Sequence, residues 1–458
     1  MNKTYTLYGG ILAAAAVGSA LAAAGSDSPV CWTAAITALV AAWWVFEPIP
    51  IAATSMIPFA VFPLVGVMDH RQVASAYGHH IIMLLIGGFM ISTAMEKSGA
   101  HRRLALGMIR TVGGRGGRRL VLGFMLATTL LSMWISNTAA TLMMLPVALA
   151  ALEQAGNKRE LAVPLMLGLA YASHVGGLGT PIGTPPNVIF KAVCKDTTGI
   201  DQSFLDWMKL GVPMMLVMFP VVWLWLTRRL GPSSEIEVPR PGPWRTEERR
   251  VLIVFALTAL AWVTRKDPFG GWSGLIGASG AGDSTVALVA AVTMFVLPNG
   301  HGGRLLNWQT ASKIPWSLLL LVGGGVAIAR AFDLSGLSQV VGEALAGLAD
   351  WPPLLMITMV CLGASFLTEV VTNTAAAVLL MPLLAAAARA AGLDPILLML
   401  PATFSCSCAF MLPPAAAPNA VVYGSGQIST AEMAREGLPL KFIGTALVIL
   451  VTYLLVWQ

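Results

Sequence analysis

The chain has 458 residues, of which 56% are hydrophobic and 11% charged, with a mean hydropathy of +0.75. A soluble domain carries about 25% charged residues, so this composition excludes a soluble enzyme or binding module and places the chain in a bilayer. The net charge of +6 would suit nucleic acid, but the arginines stand beside apolar runs rather than along one helix face. They report membrane topology, and no nucleic-acid partner is expected.

Apolar runs long enough to cross a hydrocarbon core of roughly 30 Å lie at 7–24, 31–48, 51–68 and 80–97. The first, after Lys3, also carries the small residues of a signal peptide and is read as a span. Arg102, Arg103, Arg110, Arg115, Arg118 and Arg119 form a basic loop expected to face the cytoplasm. In 119–153 the polar triplet Ser136-Asn137-Thr138 falls near the middle. Each arm of about 16 residues reaches roughly 25 Å at 1.5 Å per residue, less than a tilted crossing needs. A re-entrant hairpin with the triplet at its tip is expected, which is tolerated only where the tip is buried in protein or faces a watery cavity.

Residues 161–196 contain "GTPIGTPPN", Gly179 to Asn187, whose prolines should break a spanning helix at half depth. A run at 205–227 leads to the Pro-, Gly- and charge-rich stretch 229–250, expected to be a cytoplasmic linker. The second half offers runs at 250–264, 284–298 and 315–332, a hairpin at 351–391 with Thr372-Asn373-Thr374 at its tip, a broken helix at 394–424 and a last run at 438–457. Trp43, Trp44, Trp223, Trp225 and Trp457 read as interfacial anchors. The five cysteines lack paired metal or redox spacing and read as small buried hydrophobes.

The halves repeat. "ISNTAATLMMLP" from Ile135 returns as "VTNTAAAVLLMP" from Val371, with Asn373 following Asn137 by 373 − 137 = 236 positions, and "LLIGGF" at Leu84 and "LLVGGG" at Leu320 keep that offset. "GTPIGTPPN" aligns with "MLPPAAAPN", Met411 to Asn419, at 419 − 187 = 232. An odd number of crossings between the repeats would turn one upside down relative to the other, an arrangement of secondary transporters that bind substrate and ions at broken helices near the midplane. The expected fold is therefore an all-α polytopic membrane protein of about 11 spans: an inverted-repeat transporter with two re-entrant hairpins and two broken helices. Residues 1–79 supply N-terminal scaffold spans, 80–228 the first repeat and 251–458 the second.

Carbonyl and hydroxyl oxygens around Gly179 to Pro186 suit a hard cation such as sodium, while half-helix N-termini and amide donors suit a carboxylate. One constellation can bind both. Asn, Ser and Thr in membrane helices also serve as interhelical glue, but two copies at a fixed offset, each followed by a Pro-Asn motif, favour a site.

"SMWISNTA", "YASHVGGLGTPIGTPPN", "FLTEVVTNTA" and "SCAFMLPPAAAPNAVVYGSG" together resemble the divalent anion:sodium symporter family over nearly the whole chain. The resemblance implies an inward and an outward hairpin, a homodimer, elevator-type movement of a transport domain and two sodium sites between hairpin tips and helix breaks. It assigns the first sodium site to Ser132, Ser136, Asn137 and Gly183, and the second to Thr368, Thr372, Asn373 and Ala415. It assigns substrate carboxylates to Ser136, Asn137, Thr138, Asn373 and Thr374, with Thr184 and Pro185 along the wall. Co-transported Na⁺ and a small dicarboxylate or other di-anion are the implied ligands, with membrane lipid around the protein and no organic cofactor.

This chain departs from the family at four places. The second tip reads TNT rather than SNT, which keeps the hydroxyl. Ala416 lacks a hydroxyl usual at the second break, Ala417 lacks a proline, and His174 stands where a small residue is usual. The histidine reads as a packing residue, with altered coupling or ligand charge as the other reading. Glu96, near the cytoplasmic edge, reads as snorkelling or capping; Glu369, beside Thr368, reads as a structural hydrogen-bonding group, with charge compensation of sodium as the alternative.

The expected function is sodium-coupled import of a small di-anion, most simply a four-carbon dicarboxylate, in the cell inner (plasma) membrane with the N-terminus cytoplasmic. A sodium-independent dicarboxylate or sulfate exchanger is the alternative. An intramembrane enzyme would need a nucleophile and base or metal ligands at depth, and no HExxH, paired buried aspartates or GxSxG with a base is present. An anion channel would need a ring of basic residues.

Overall fold

The computed structural model describes residues 3–112, 116–156, 159–231, 241–267, 270–344, 347 and 351–456. Arg115, residues 232–240 of the linker and Trp457 lie outside the described residues. Among those described the protein is all helical, and eight helices are long and apolar enough to cross a membrane. Shorter apolar helical stretches occupy Ile51–Leu64, in two pieces, Asp283–Val296 and Ile396–Cys406.

Two sequence expectations change at the N-terminal end. The run 51–68 is not one span but the helices Ile51–Thr54 and Ile57–Leu64, separated at Ser55 and Met56. Pro58 sits in the first turn of the second helix, where its missing N–H is harmless. Ser55 is a hub: its hydroxyl accepts from Trp44 Nε1 at 3.0 Å and its carbonyl accepts from the Tyr77 hydroxyl. Trp44 is consequently buried in the core rather than an interfacial anchor. The basic loop is partly a helix, Ala100–Val112, with Arg103 reaching across to Glu248 at 2.8 Å and to the Gly242 and Pro243 carbonyls. Arginine thus ties the first half to the end of the linker.

The first hairpin consists of the helices Gly117–Ser132 and Asn137–Gln154, and the second of Pro353–Val370 and Asn373–Ala390. Each second arm is started by its tip: Ser136 and Thr372 are N-caps whose hydroxyls accept from the Ala139 and Ala375 amides at 3.2 and 3.3 Å. The first broken helix comprises Arg159–Gly177 and Pro185–Thr198; the second comprises Ile396–Cys406 and Ala417–Gly424, with a 3₁₀ turn at Pro413–Ala415 between them.

Every residue from Pro164 to Thr184 is buried, so the first broken helix forms the centre of the molecule. Gly87 and Gly324 of the repeated glycine pairs, and the unrepeated Gly176, are close-approach points that let helix backbones pack without side chains between them. A Cβ on Gly87 would lie 2.6 Å from that of Ala287, one on Gly324 would lie 2.8 Å from the Ser55 carbonyl oxygen, and one on Gly176 would lie 2.2 Å from the Thr129 carbonyl oxygen.

Because the neighbour of Gly176 is backbone and cannot turn away, Gly176→Ala is expected to cost about 1–3 kcal/mol by overpacking. Gly107→Ala, in a helix with open space around it, is expected to be neutral or slightly stabilising. Thermal denaturation of the two detergent-purified variants checks the contrast; equal melting temperatures would contradict it.

Candidate functional site

The two helix breaks are built alike. A Cβ on Gly183 would lie 2.5 Å from the Gly177 carbonyl oxygen, so only glycine lets the chain fold back there. Asn187 Nδ2 donates to the carbonyls of Gly177 and Thr180, both at 2.8 Å. Asn419 Nδ2 donates in the same way to Ala409 at 2.9 Å and Leu412 at 3.1 Å. These residues correspond at the 232 offset (177 to 409, 180 to 412, 187 to 419). Each asparagine of the Pro-Asn motifs is thus a staple across an unwound segment, satisfying carbonyls that the broken helix cannot.

The hairpin tips meet the breaks through hydroxyls. Ser132 Oγ lies 2.6 Å from the Asn137 amide and donates to the Ser173 carbonyl at 2.9 Å. Thr368 Oγ1 lies 2.6 Å from Asn373 Oδ1 and donates to the Cys406 carbonyl at 3.0 Å. The same end of the Asn137 amide is 3.1 Å from the carbonyls of Ser173 and Gly183. With nitrogen at that end the amide donates to both carbonyls; with oxygen there, it completes a cluster of oxygens of the kind that ligates a hard cation. The thioether, imidazole and carboxylate donors that transition metals favour are absent from this cluster.

A cavity of about 560 Å³ opens between the tips. Its wall includes Ser136, Asn137, Thr138, Gly183, Thr184, Pro185, Thr372, Asn373, Thr374 and Ala415. Ser132 and Thr368 stand behind the tips, fully buried, and act on the amides instead. Four helices begin at this wall, at Asn137, Pro185, Asn373 and Ala417. Their positive dipole ends converge on one space, which suits an anion with two charged ends; Pro185, Pro186 and Pro418 carry no N–H, so the backbone donors come from the first residues of the Asn137 and Asn373 helices and from Ala417.

Sequence reasoning missed several residues here. Lys313 lines the cavity from the second half without any sequence signal, and Glu96, read from the sequence as snorkelling or capping, lines it too, with Ser92 donating to it at 3.4 Å. The Ser173 and Cys406 carbonyls carry no side-chain signature at all. Glu369 accepts from the backbone amides of Phe410, Met411 and Leu412 at 3.0, 3.1 and 3.0 Å, as a structural hydrogen-bonding group would. It is also ion-paired to the buried Lys441 at 2.7 Å, and that ammonium donates to the Ser365 carbonyl.

The first half solves the same problem without charge. Met133 holds the position of Glu369 at the 236 offset. Gly211 and Gly437 are equivalent, since a Cβ on either would lie 2.2 or 2.1 Å from the Leu178 or Phe410 carbonyl oxygen. Four residues beyond them stand Met215 and Lys441. Both methionine side chains lie 3.0 to 3.2 Å from where a Gly179 Cβ would be, so thioethers pack in the first half where an ion pair sits in the second.

Comparison with known proteins adds the following. The sequence profile of the family described as "Citrate transporter" matches residues 41–403. The sodium-dependent dicarboxylate transporter SdcS of Staphylococcus saprophyticus is 37% identical over 446 residues, covering 92% of this chain and 85% of that protein. SdcS of Staphylococcus aureus strain USA300 is 37% identical over 443 residues, covering 92% and 84%. Among solved structures, the Alcanivorax borkumensis YdaH transporter superposes with a TM-score of 0.59 at 13% identity, covering 86% of this chain and 88% of its own. Neisseria gonorrhoeae MtrF, from a class of antimetabolite efflux pumps, gives the same score and identity over 86% and 83%. These last two share the fold.

Removing Lys441 alone leaves a buried carboxylate unpaired, so Lys441→Met is expected to destabilise the protein by about 3–5 kcal/mol. Adding Glu369→Gln, which removes the charge and keeps an oxygen for the Phe410 and Met411 amides while giving up the Leu412 one, is expected to recover more than half of that loss. Thermal melts of both single variants and the double variant, analysed as a cycle, read this out; purely additive losses would show that the pair is not coupled.

Proposed function

The chain belongs to the divalent anion:sodium symporter family, and from that premise we propose that it is a sodium-coupled secondary transporter importing a small di-anion, most readily a four-carbon dicarboxylate. The observation that carries the reading is the convergence of four helix N-termini and two asparagine amides on one cavity, with oxygen clusters behind the amides. The names of the similar SdcS proteins, sodium-dependent dicarboxylate transporters, support the same cargo. The first sodium is held by Ser132, Ser136, Asn137 and Gly183 together with the Ser173 carbonyl; the second by Thr368, Thr372, Asn373 and Ala415 together with the Cys406 carbonyl. The carboxylates take Ser136, Asn137, Thr138, Asn373 and Thr374, with Thr184 and Pro185 beside them.

Coupling follows from the two ends of an amide. When Na⁺ binds the cluster, the Asn137 oxygen turns toward it and the NH₂ group faces the cavity, where a carboxylate accepts from it. Without the cation the nitrogen turns back to the Ser173 and Gly183 carbonyls, and the exposed oxygen repels the anion. Sodium therefore both neutralises the di-anion's charge and orients its donor. Alternating access is of elevator type in a homodimer, the hairpins and broken helices moving as one body past the remaining spans, in the plasma membrane with the N-terminus cytoplasmic.

Reconstituted into liposomes, the protein is expected to accumulate labelled dicarboxylate with an inward sodium gradient and not with choline; equal uptake in both would favour the sodium-independent exchanger. Asn137→Asp separates the two halves of the coupling. A carboxylate there still attracts Na⁺ but repels the substrate, so the variant is expected to keep its sodium-induced thermal shift, lose the dicarboxylate-induced one and transport at least about 100-fold more slowly. Retention of the substrate shift would remove Asn137 from the anion site.

A further inference from the structure

His174 follows Ser173 in the centre of the first broken helix, and its ring bridges to the second. The Asn419 nitrogen already donates to Ala409 and Leu412, which commits Asn419 Oδ1 to accepting. His174 Nε2 lies 3.2 Å from that oxygen, so Nε2 carries the proton and Nδ1 of the neutral ring is a bare lone pair. Nδ1 is buried and has no partner among the described residues. The residue is 1% exposed and forms part of the cavity wall with Asn137, Thr184, Asn373 and Ala416.

The break does not need this histidine. In the first half Asn187 spans its two carbonyls identically while its own Oδ1 stays without a partner, and the residue 232 positions after His174 is Cys406. An imidazole that merely satisfied Asn419 would perform a task that the twin half leaves undone. An unpaired lone pair on a side chain that borders an anion cavity disfavours a nearby carboxylate oxygen and is satisfied by a donor. Ala416, a methyl where a hydroxyl would both donate and accept, offers no such group.

We propose that His174 Nδ1 is a specificity determinant which accepts a hydrogen bond from a donor on the carbon chain between the two carboxylates, so that the carrier prefers a 2-substituted four-carbon diacid to the unsubstituted one. This rests on the dicarboxylate reading above and sharpens it to a substrate subclass. A hydroxyl and an ammonium are both suitable donors. A site built to bond such a group rejects the analogue that lacks it more strongly than an apolar wall distinguishes sizes.

The test is competition against labelled uptake in sodium by succinate, malate (hydroxyl) and aspartate (ammonium). For the unaltered protein, malate or aspartate is expected to half-inhibit at a concentration at least about tenfold below that of succinate. His174→Gln places an amide nitrogen near Nε2 and keeps the link to Asn419 but has no acceptor at the Nδ1 position; the ratio is expected to fall to about one, with succinate affinity changed by less than about twofold. His174→Asn keeps an acceptor near Nδ1 and is expected to retain most of the preference. Melting temperatures in sodium without substrate check that both variants are folded. A ratio near one in the unaltered protein, or an undiminished ratio in His174→Gln, overturns the assignment, and equal loss of all three diacids in both folded variants assigns His174 to packing instead. Uptake of succinate and malate alike leaves the transport reading standing and removes only this inference, whereas uptake of neither in sodium removes both.

Discussion

Unwound backbone at the centre of an apolar molecule is possible only if its carbonyls find donors, and the rest of the site depends on two side chains that supply them. Asn187 and Asn419 each bond a carbonyl ten and a carbonyl seven residues earlier. With those closed, the remaining oxygens of the breaks, and the helix N-termini that restart beyond them, are free to face a ligand rather than each other. The tips have the complementary constraint. Ser136 and Thr372 use one hydroxyl lone pair each to cap the helices they start, which leaves the other for a ligand, while Ser132 and Thr368 fix the amides behind them.

The two halves share this scaffold and differ in how they finance it electrostatically. The first packs Met133 and Met215 beside the break; the second buries Glu369 and Lys441, with the carboxylate across three consecutive backbone amides. A carboxylate on amide donors is a stronger and more directional clamp than a thioether contact. The second break also carries Ala416 and Ala417 in place of Thr184 and Pro185, so a fixed clamp stands where the local sequence is least stiff. His174 crosses from one half to the other and breaks the pseudo-symmetry at the cavity itself.

Much of the candidate site was legible because it repeats. The doubled NT triplet, the doubled Pro-Asn motif and the doubled glycines mark positions where hydrogen-bonding side chains, broken backbone or close approach are required, and such requirements restrict residue type. What stayed hidden has no such restriction. The Ser173 and Cys406 carbonyls are backbone atoms, available from any residue. Lys441 meets Glu369 across 72 positions (369 to 441), and no local pattern announces a partner at that distance. Glu96 has the composition of an interfacial residue, yet the helix His80–Ser98 turns it to the cavity. The run 51–68 looked continuous because hydropathy averages over a break; only the Ser55 contacts with Trp44 and Tyr77 reveal it.

The sequence by itself determined that the chain is a helical membrane protein, that it is made of two related halves and that each half carries a polar tip and a proline-broken helix. Those follow from composition, offset and the chemistry of proline, all local properties. The tertiary structure decided which of those polar groups face one another: that both tips and both breaks border one cavity, that the Pro-Asn asparagines staple backbone, and that a histidine in one half bonds the asparagine of the other. The shared cavity and the histidine bond join segments separated by about half the chain, the staples span ten and seven residues across a break, and all are fixed by packing, which the order of residues constrains but does not display.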